Sequence, residues 1–456
     1  MKLDDTIVAI STPLGSGGLG IVRMSGENSL TITKRIFKPY KKNSTLKANR
    51  SVLGKLYQFE KKEFFEEAYV TFFKKPKTYT REDMVEISCH GSPVILEEVI
   101  RLCMKSGARH ADPGEFTLRA YINGRIDILQ AEAINNLIHA TSFKHAKISF
   151  NHLDGKLSHK IESFREQIVH ILSQIEASIE FPEENLHLSK KMILKTINTA
   201  VDSLNRLIQS YELGKTIKQG FVLAIAGRTN TGKSTLFNAL LDQERAIVSS
   251  YPGTTRDYLQ ERIKINDISF ILTDIAGTDI HMHPPDKEAI KKGQKLAQNA
   301  DGVLILFDSS QKETEDDLKL IAKFKDRKSF LLFNKIDLIP KINKDNIIKN
   351  AKGIHSLEIS ALKGTNLDKL RTVLYECFKS QSFHEDEIIL NLRQKLLLED
   401  IASNLRESRR LLEEGYSEET YVEEIRKNIP LLGQLTGEIR TNEVIEQIFN
   451  RFCVGK

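Results

Sequence analysis

The chain has 456 residues, too many for one hydrophobic core, so two to four domains are expected. Its formal charge of +6 is a weak field at this size; it permits a polyanionic partner such as RNA and demands none. Cys89, Cys103, Cys377 and Cys453 form no CxxC pair, which argues against a zinc site or a disulfide framework and fits a reducing cytosol. No stretch approaches the roughly 18 apolar residues of a membrane span, and the opening MKLDDTIVAI lacks the form of a signal peptide. A cytoplasmic protein is expected.

Residues 1–120 mix short apolar runs (TIVAIST, AYVTFF, MVEISC) with Gly, Pro and Asp, the texture of a compact α+β domain. The run GSGGLG at 15–20 matches G-x-G-x-x-G. The adjoining IVRMSG reads as strand and not as the helix a dinucleotide site needs, so a glycine turn is the better reading. Two further features stay open. His90 in SCHG is either a base or a structural histidine beside a turn. Phe72, Phe73 and Tyr79 near Lys74, Lys75 and Lys77 are either a strand edge with a solvated loop, the favoured reading, or an RNA contact.

Residues 121–217 read as helix. Leu157, Ile161, Phe164, Ile168, Ile171, Ile175 and Ile179 recur by threes and fours and form one apolar face. FPEEN at 181–185 breaks the pattern. A second helix comes next, with Ile193, Ile197, Leu204 and Ile208 on one face, and is expected to end near Gly214. At 218 the texture changes. FVLAIAG, SFILTD, GVLILFD and SFLLFNK are short apolar runs separated by helix or loop, which implies a doubly wound sheet over 218–381. Residues 382–456 are helical again. The expected fold is a multidomain α/β protein in which the helical domain, 121–217 and 382–456, is interrupted by an α/β insertion.

The insertion carries a nucleotide site. GRTNTGKS fits G-x-x-x-x-G-K-[ST] with Gly227, Gly232, Lys233 and Ser234, followed by Thr235, between a buried strand and a helix. Glycines let backbone N–H groups close around phosphates, Lys233 bridges the β and γ phosphates, and Ser234 ligates Mg²⁺. DIAG places Asp274 for Mg²⁺ through water and the Gly277 N–H for the γ-phosphate. NKID places Asn334, Lys335 and Asp337, whose carboxylate accepts from N1 and N2 of guanine and not of adenine. SALKG adds Ser360 and Ala361 to the base pocket, and GTTRD offers a second magnesium ligand. In this order the five fragments define a P-loop GTPase domain. Thr278 stands where Ras-like enzymes place a water-orienting glutamine and is too short for that task. Asn230 inside the P-loop can offer an amide oxygen to a monovalent cation beside the phosphates.

These motifs resemble one family along the whole chain, the MnmE (TrmE) tRNA-modification GTPases. The blocks DTIVAISTPLGSGGLGIVRMSG, YTREDMVEISCHG, DPGEFTLRAYINGRIDILQAEA and LTGEIRTNEVIEQIFNRFCVGK look like that family's, in its order. The resemblance implies a folate-binding-like N-terminal domain that takes 5-formyl-tetrahydrofolate and dimerises. It implies a K⁺-stimulated GTPase working as a homodimer with an FAD-containing partner, MnmG (GidA), in a heterotetramer. Together they add an aminomethyl-type group to C5 of the wobble uridine, U34, of tRNA. By position, Arg23, Glu86, Arg125 and Lys456 match the folate contacts. Asn230, Ser249, Tyr251 and Thr254 match the potassium loop, and Ser234 and Thr255 the magnesium ligands. Three departures stand out: Arg125 replaces a usual lysine, Ser16 a usual arginine, and Ile290 a glutamate that orients the attacking water. Glu288, two residues earlier, is the candidate for that task.

The chain closes on FCVGK. Ile445, Ile448, Phe449 and Phe452 recur at helical spacing, so a last helix can dock and carry Cys453 and Lys456 to a fixed place. Cys453 is then either a reactive thiol or a small apolar filler. The competing function, a ribosome-associated switch that binds rRNA, calls for an RNA module such as a KH domain after the GTPase. No GXXG occurs after residue 380.

Overall fold

The computed structural model describes residues 4–41, 45–181, 189–245, 260–274, 300–324, 326–351, 353–379, 388–439, 448–450 and 452–456. They fall into two compact units. The first is Met1–Ile138, Ser149–Leu204 and Leu396–Lys456; the second is His139–Ile148 and Asn205–Lys395. The second is therefore inserted into the first.

The first unit opens with a seven-stranded sheet: β1 (Ile7–Ile10), β2 (Gly17–Ser25), β3 (Phe37–Pro39), β4 (Ser51–Gln58), β5 (Glu63–Phe73), β6 (Met84–Gly91) and β7 (Arg109–His110), in the order β3-β4-β5-β6-β2-β1-β7. GSGGLG runs into strand, as the adjoining IVRMSG predicts. Alternation sets the faces. Val22 and Met24 of β2 and Ala68, Val70 and Phe72 of β5 point into one core, which the helices Ser29–Ile36 and Pro93–Lys105 complete through Ile32, Ile36, Leu96, Val99 and Cys103. Burial pushes the Cys103 thiol up to about 12, and with it Cys89 to about 11, so both are packing groups rather than nucleophiles. Helical segments come next. Lys156–Glu180 buries Leu157, Ile161, Phe164, Ile168, Ile171 and Ile175, the face its periodicity predicts, against other helices of the unit. Each such buried side chain contributes roughly 1.5–3 kcal/mol.

The second unit is a six-stranded sheet: β8 (Phe221–Gly227), β9 (Gln260–Ile265), β10 (Ile268–Asp274), β11 (Gly302–Asp308), β12 (Ser329–Asn334) and β13 (His355–Glu358). Its order is β13-β12-β11-β8-β10-β9. All pairs are parallel except the β9–β10 hairpin, an edge that the apolar runs alone do not announce. Helices cover both faces, with separate apolar clusters on each. At the strands' amino ends Phe221, Phe270 and Phe378 meet with ring centroids 4.9–5.8 Å apart.

One helix differs from expectation. Lys190–Gln219 does not stop near Gly214 but runs to Gln219, where Gly220 takes φ 96 and its N–H closes on the Thr216 carbonyl. Gly214 serves proximity instead of termination: a Cβ there would lie 2.0 Å from the Ile389 carbonyl oxygen. A glycine inside a helix weakens it, but here it lets the returning chain pack directly on the backbone.

Candidate functional site

In the sheet of the second unit the carboxyl ends of β8, β11 and β12 converge, where ligands bind in open α/β sheets. After Gly227 the chain loops and enters the helix Lys233–Arg245. Gly232 sits at φ 96, and a Cβ on it would come within 2.3 Å of Asn334 Nδ2, so only glycine lets the loop close this tightly. Thr231 Oγ1 donates to the Arg228 carbonyl at 2.9 Å. Lys233 Nζ lies across the loop, donating to the carbonyls of Gly227 and Arg228 at 2.8 and 2.6 Å. Ser234 and Thr235 are exposed in the first helical turn. A tight glycine turn at a helix start with a lysine across it is the arrangement that suits polyphosphate.

Asn334 is the hub. Only 2% exposed at the end of β12, it donates from Nδ2 to the Thr231 carbonyl at 2.8 Å and accepts the Ala361 N–H at Oδ1 at 2.9 Å. One amide therefore locks the P-loop to the SALKG turn. Lys335 comes next at φ 64, its Nζ donating to the Asn230 carbonyl and to Asp308 Oδ2, both at 2.7 Å. Asp337 Oδ1 accepts from Ser360 Oγ at 2.5 Å, and Ser360 Oγ also accepts the Lys363 N–H. The Ser360 hydroxyl, a backbone N–H and nearby Lys363 and Lys335 hold the Asp337 carboxyl below its ordinary range, so it stands ionised as an acceptor. Asp274 ends β10, in register with Ile225 of β8.

A second constellation lies in the first unit. A cleft of about 480 Å³ is bounded by Phe73, Pro76, Tyr79, Met84, Glu86 and Arg125, within the size range of small-ligand pockets. Arg23 pairs with Glu86 at 2.8 Å and lies 5.6 Å from the Tyr79 ring centroid; Arg125 stacks on the same ring at 4.7 Å and donates to the Tyr79 carbonyl at 3.0 Å. The tail comes to the same domain. Val454 bridges to Pro113, the Gly114 N–H donates to the Cys453 carbonyl at 3.4 Å, and Gly455 (φ 94) passes so close to β1 that a Cβ would meet the Ile10 carbonyl at 2.0 Å. Lys456 is half-buried; burial and then the Arg23 guanidinium push its pKa down, opposed by Cys453 and Glu86. Cys453 itself is exposed, which removes the reading of it as an apolar filler.

The description "GTP-binding protein TrmE N-terminus" matches residues 6–125, and "MnmE helical domain" matches 128–453. The tRNA modification GTPase MnmE of Thermoanaerobacter pseudethanolicus is 38% identical over 457 residues, covering 99% of both chains. That of Acetivibrio thermocellus is 35% identical over 459 residues, covering 100% of both. The chain belongs to the MnmE family. Among solved structures, a variant of Era from Aquifex aeolicus matches 40% of this chain and 66% of its own, at 27% identity and a TM-score of 0.28.

Of the residues singled out in this MnmE-family sequence, Asn230, Thr231, Lys233, Asn334, Lys335, Asp337, Ser360 and Ala361 belong to one bonded set of loops, while Glu86 and Arg125 line one cleft and Arg23 pairs with Glu86. Ser249, Tyr251, Thr254, Thr255, Gly277, Glu288 and Ile445 lie outside the described residues. Phe72 is buried, so it offers no RNA contact. His90 pairs through Nδ1 with Glu66 at 2.9 Å on an exposed face of the sheet.

Two residues escape a motif search. Asp308, at the end of β11, anchors Lys335. Burial would raise its pKa, but the Lys335 ion pair and bonds from Ser310 outweigh it and hold the carboxylate ionised. An aspartate closing a fully buried strand at the ligand edge was the available signal. Arg119 is 0% exposed and gathers Asp5, Glu82 and Glu115 at 2.6–3.3 Å, fixing the loop that carries Tyr79. Only Glu115, four residues back on the same helix, is a local partner; Asp5 and Glu82 come from distant segments.

Proposed function

We propose that this chain hydrolyses GTP as one component of the system that modifies the wobble uridine of tRNA. As a member of its family it is a tRNA-modification GTPase. The finer reading is an aminomethyl-type group placed on C5 of U34 by a homodimer working with an FAD-containing MnmG-type partner in the cytoplasm. Among the described residues no helix is long and apolar enough to cross a membrane, which is compatible with that setting.

The observation that carries the reading is the Asn334 hub, with Asp337 oriented by Ser360: a phosphate cradle and a guanine acceptor locked into one rigid frame. Lys233 binds and orients the phosphates. Ser234 and Thr255 hold Mg²⁺; Asn230, Ser249, Tyr251 and Thr254 hold K⁺. These are hard oxygen donors of the kind both cations take, and Asn230 is fixed for the purpose through Lys335. The two cations supply positive charge beside the phosphates when bound. Glu288 orients water. At the N-terminal domain, residues 1–120, Arg23 and Glu86, with Arg125 and Lys456 from outside it, take 5-formyl-tetrahydrofolate. The planar Arg125 guanidinium, held on the Tyr79 ring, gives the cleft a flat cationic group suited to a planar anionic ligand, and the cleft has the volume for one. Cys453 stands exposed at that domain as the candidate catalytic thiol.

Two measurements test this. GTP turnover in KCl should exceed that in NaCl at equal ionic strength, and Asn230→Ala should erase the difference. Mass spectrometry of wobble nucleosides from cells lacking their own copy should show the modification restored by this chain and not by Lys233→Ala. Restoration by Lys233→Ala would sink the GTPase role in modification.

A further inference from the structure

The hairpin joining β5 to β6 carries Lys74, Lys75 and Lys77, all exposed. It is a fixed platform: the Lys75 N–H donates to Asp83 Oδ1 at 2.9 Å, and Thr78 Oγ1 donates to the Glu82 carbonyl at 2.7 Å. The nearby carboxylates are engaged inward. Glu82 accepts from Ser25 and pairs with buried Arg119, and Glu86 pairs with Arg23. Arg81 and Arg125, at the same rim, donate to the carbonyls of Asn123 and Tyr79. Among the described residues none of these five cations forms an ion pair with a carboxylate. Three other surface arginines of the unit are matched: Arg101 with Glu60 and Glu98, Arg410 with Glu407 and Glu414, Arg426 with Glu176 and Glu423.

The positive rim continues sideways. Ala48 bridges to Phe72, and the Asn49 N–H donates to the Phe72 carbonyl at 2.8 Å, which lays exposed Lys47 and Arg50 beside the end of β5. Only Lys77, Arg81 and Arg125 of this group border the cleft; Lys47, Arg50, Lys74 and Lys75 do not. A ligand confined to the cleft leaves those four unused, so the geometry fits a polyanion longer than the cleft. Phe72 is buried, Tyr79 lies under Arg125 and half-buried Phe73 lines the cleft, so the lysines beyond the cleft offer charges without a stacking platform beside them. That suits backbone phosphates and not base readout.

We propose that this rim binds the phosphate backbone of the tRNA substrate at the mouth of the Tyr79–Glu86–Arg125 cleft. The proposal rests on the tRNA reading above and adds where the RNA lies. The test uses the full chain with a labelled unmodified tRNA transcript, its affinity measured from about 50 to 200 mM KCl. The variant is Lys74→Gln, Lys75→Gln, Lys77→Gln together; the control, Lys190→Gln, Lys191→Gln, Lys195→Gln, removes equal charge from the helix Lys190–Gln219.

Each lost phosphate contact removes about 0.7–0.9 from the slope of log affinity against log salt. The hairpin variant should therefore show a slope shallower by about 2 and binding weakened roughly tenfold or more, with parental GTP turnover and melting. The control should keep the parental slope. A parental slope in the hairpin variant overturns the proposal, as does an equal change in the control. Parental tRNA binding with weakened preference for polyglutamylated over monoglutamylated folate would assign the rim to a folate tail instead. A parent chain that binds no tRNA in any salt fails the tRNA reading itself, and the rim proposal with it.

Discussion

Replacing Asn334 by Ala should disable the nucleotide site through the frame and not through any lost ligand contact. The side chain is 2% exposed and makes two bonds, Nδ2 to the Thr231 carbonyl and Ala361 N–H to Oδ1. Truncation leaves one buried acceptor and one buried donor without partners, at about 1–3 kcal/mol each, so about 2–6 kcal/mol in all. If about 2 kcal/mol of that is felt in binding, GDP affinity falls roughly 30-fold. The chain has no tryptophan, so a fluorescent mant-GDP supplies the signal both for titration and for urea-induced release. At a slope of about 2 kcal/mol per molar urea the release midpoint should drop by about 1–3 M. Asn334→Asp sharpens the test. It keeps the acceptor for Ala361 but turns a carboxylate oxygen toward the Thr231 carbonyl, so it should bind no better than the Ala variant. A parental dissociation constant and midpoint in Asn334→Ala would refute the hub.

Three further outcomes rest on the same geometry. Asp337→Asn trades an acceptor for an amide and should turn the pocket from guanine toward xanthine; an unchanged preference for GTP over XTP rejects the base-pocket assignment. Burial, then Lys218 and Arg262, lowers the pKa of His145 from 6.5 to about 4. The unfolded chain thus protonates first, and the stability held by neutral His145 is whole above pH 6.5 and drains as pH falls toward 4, by up to about 3 kcal/mol. Unfolding of parent and His145→Gln at pH 7 and pH 5 should show the variant less acid-sensitive, and equal sensitivity removes this residue from the account. Cys453→Ser should fold and turn over GTP like the parent yet lose wobble-uridine modification in cells; full modification would leave the exposed thiol without a chemical role.

Local pattern alone determined much of this protein. The apolar face of Lys156–Glu180, the continuous runs of β8, β11 and β12, and the P-loop and NKID residues are legible because helix period, buried parallel strands and phosphate chemistry each constrain residues a few positions apart. What the tertiary structure decided depends on groups far apart in the chain. Gly214 reads as a helix terminator until Ile389 is seen against it. Arg119 reads as one more arginine until Asp5 and Glu82 close around it, and Asp308 is silent until Lys335 reaches it from the next strand. The tail shows this most plainly. Helical spacing predicts a docked end, and Phe449 and Phe452 are buried as that requires. Where the end docks is set by Val454 pairing with Pro113 and Gly455 lying against Ile10. Those contacts join the two ends of the chain, and no periodicity within either segment encodes their meeting.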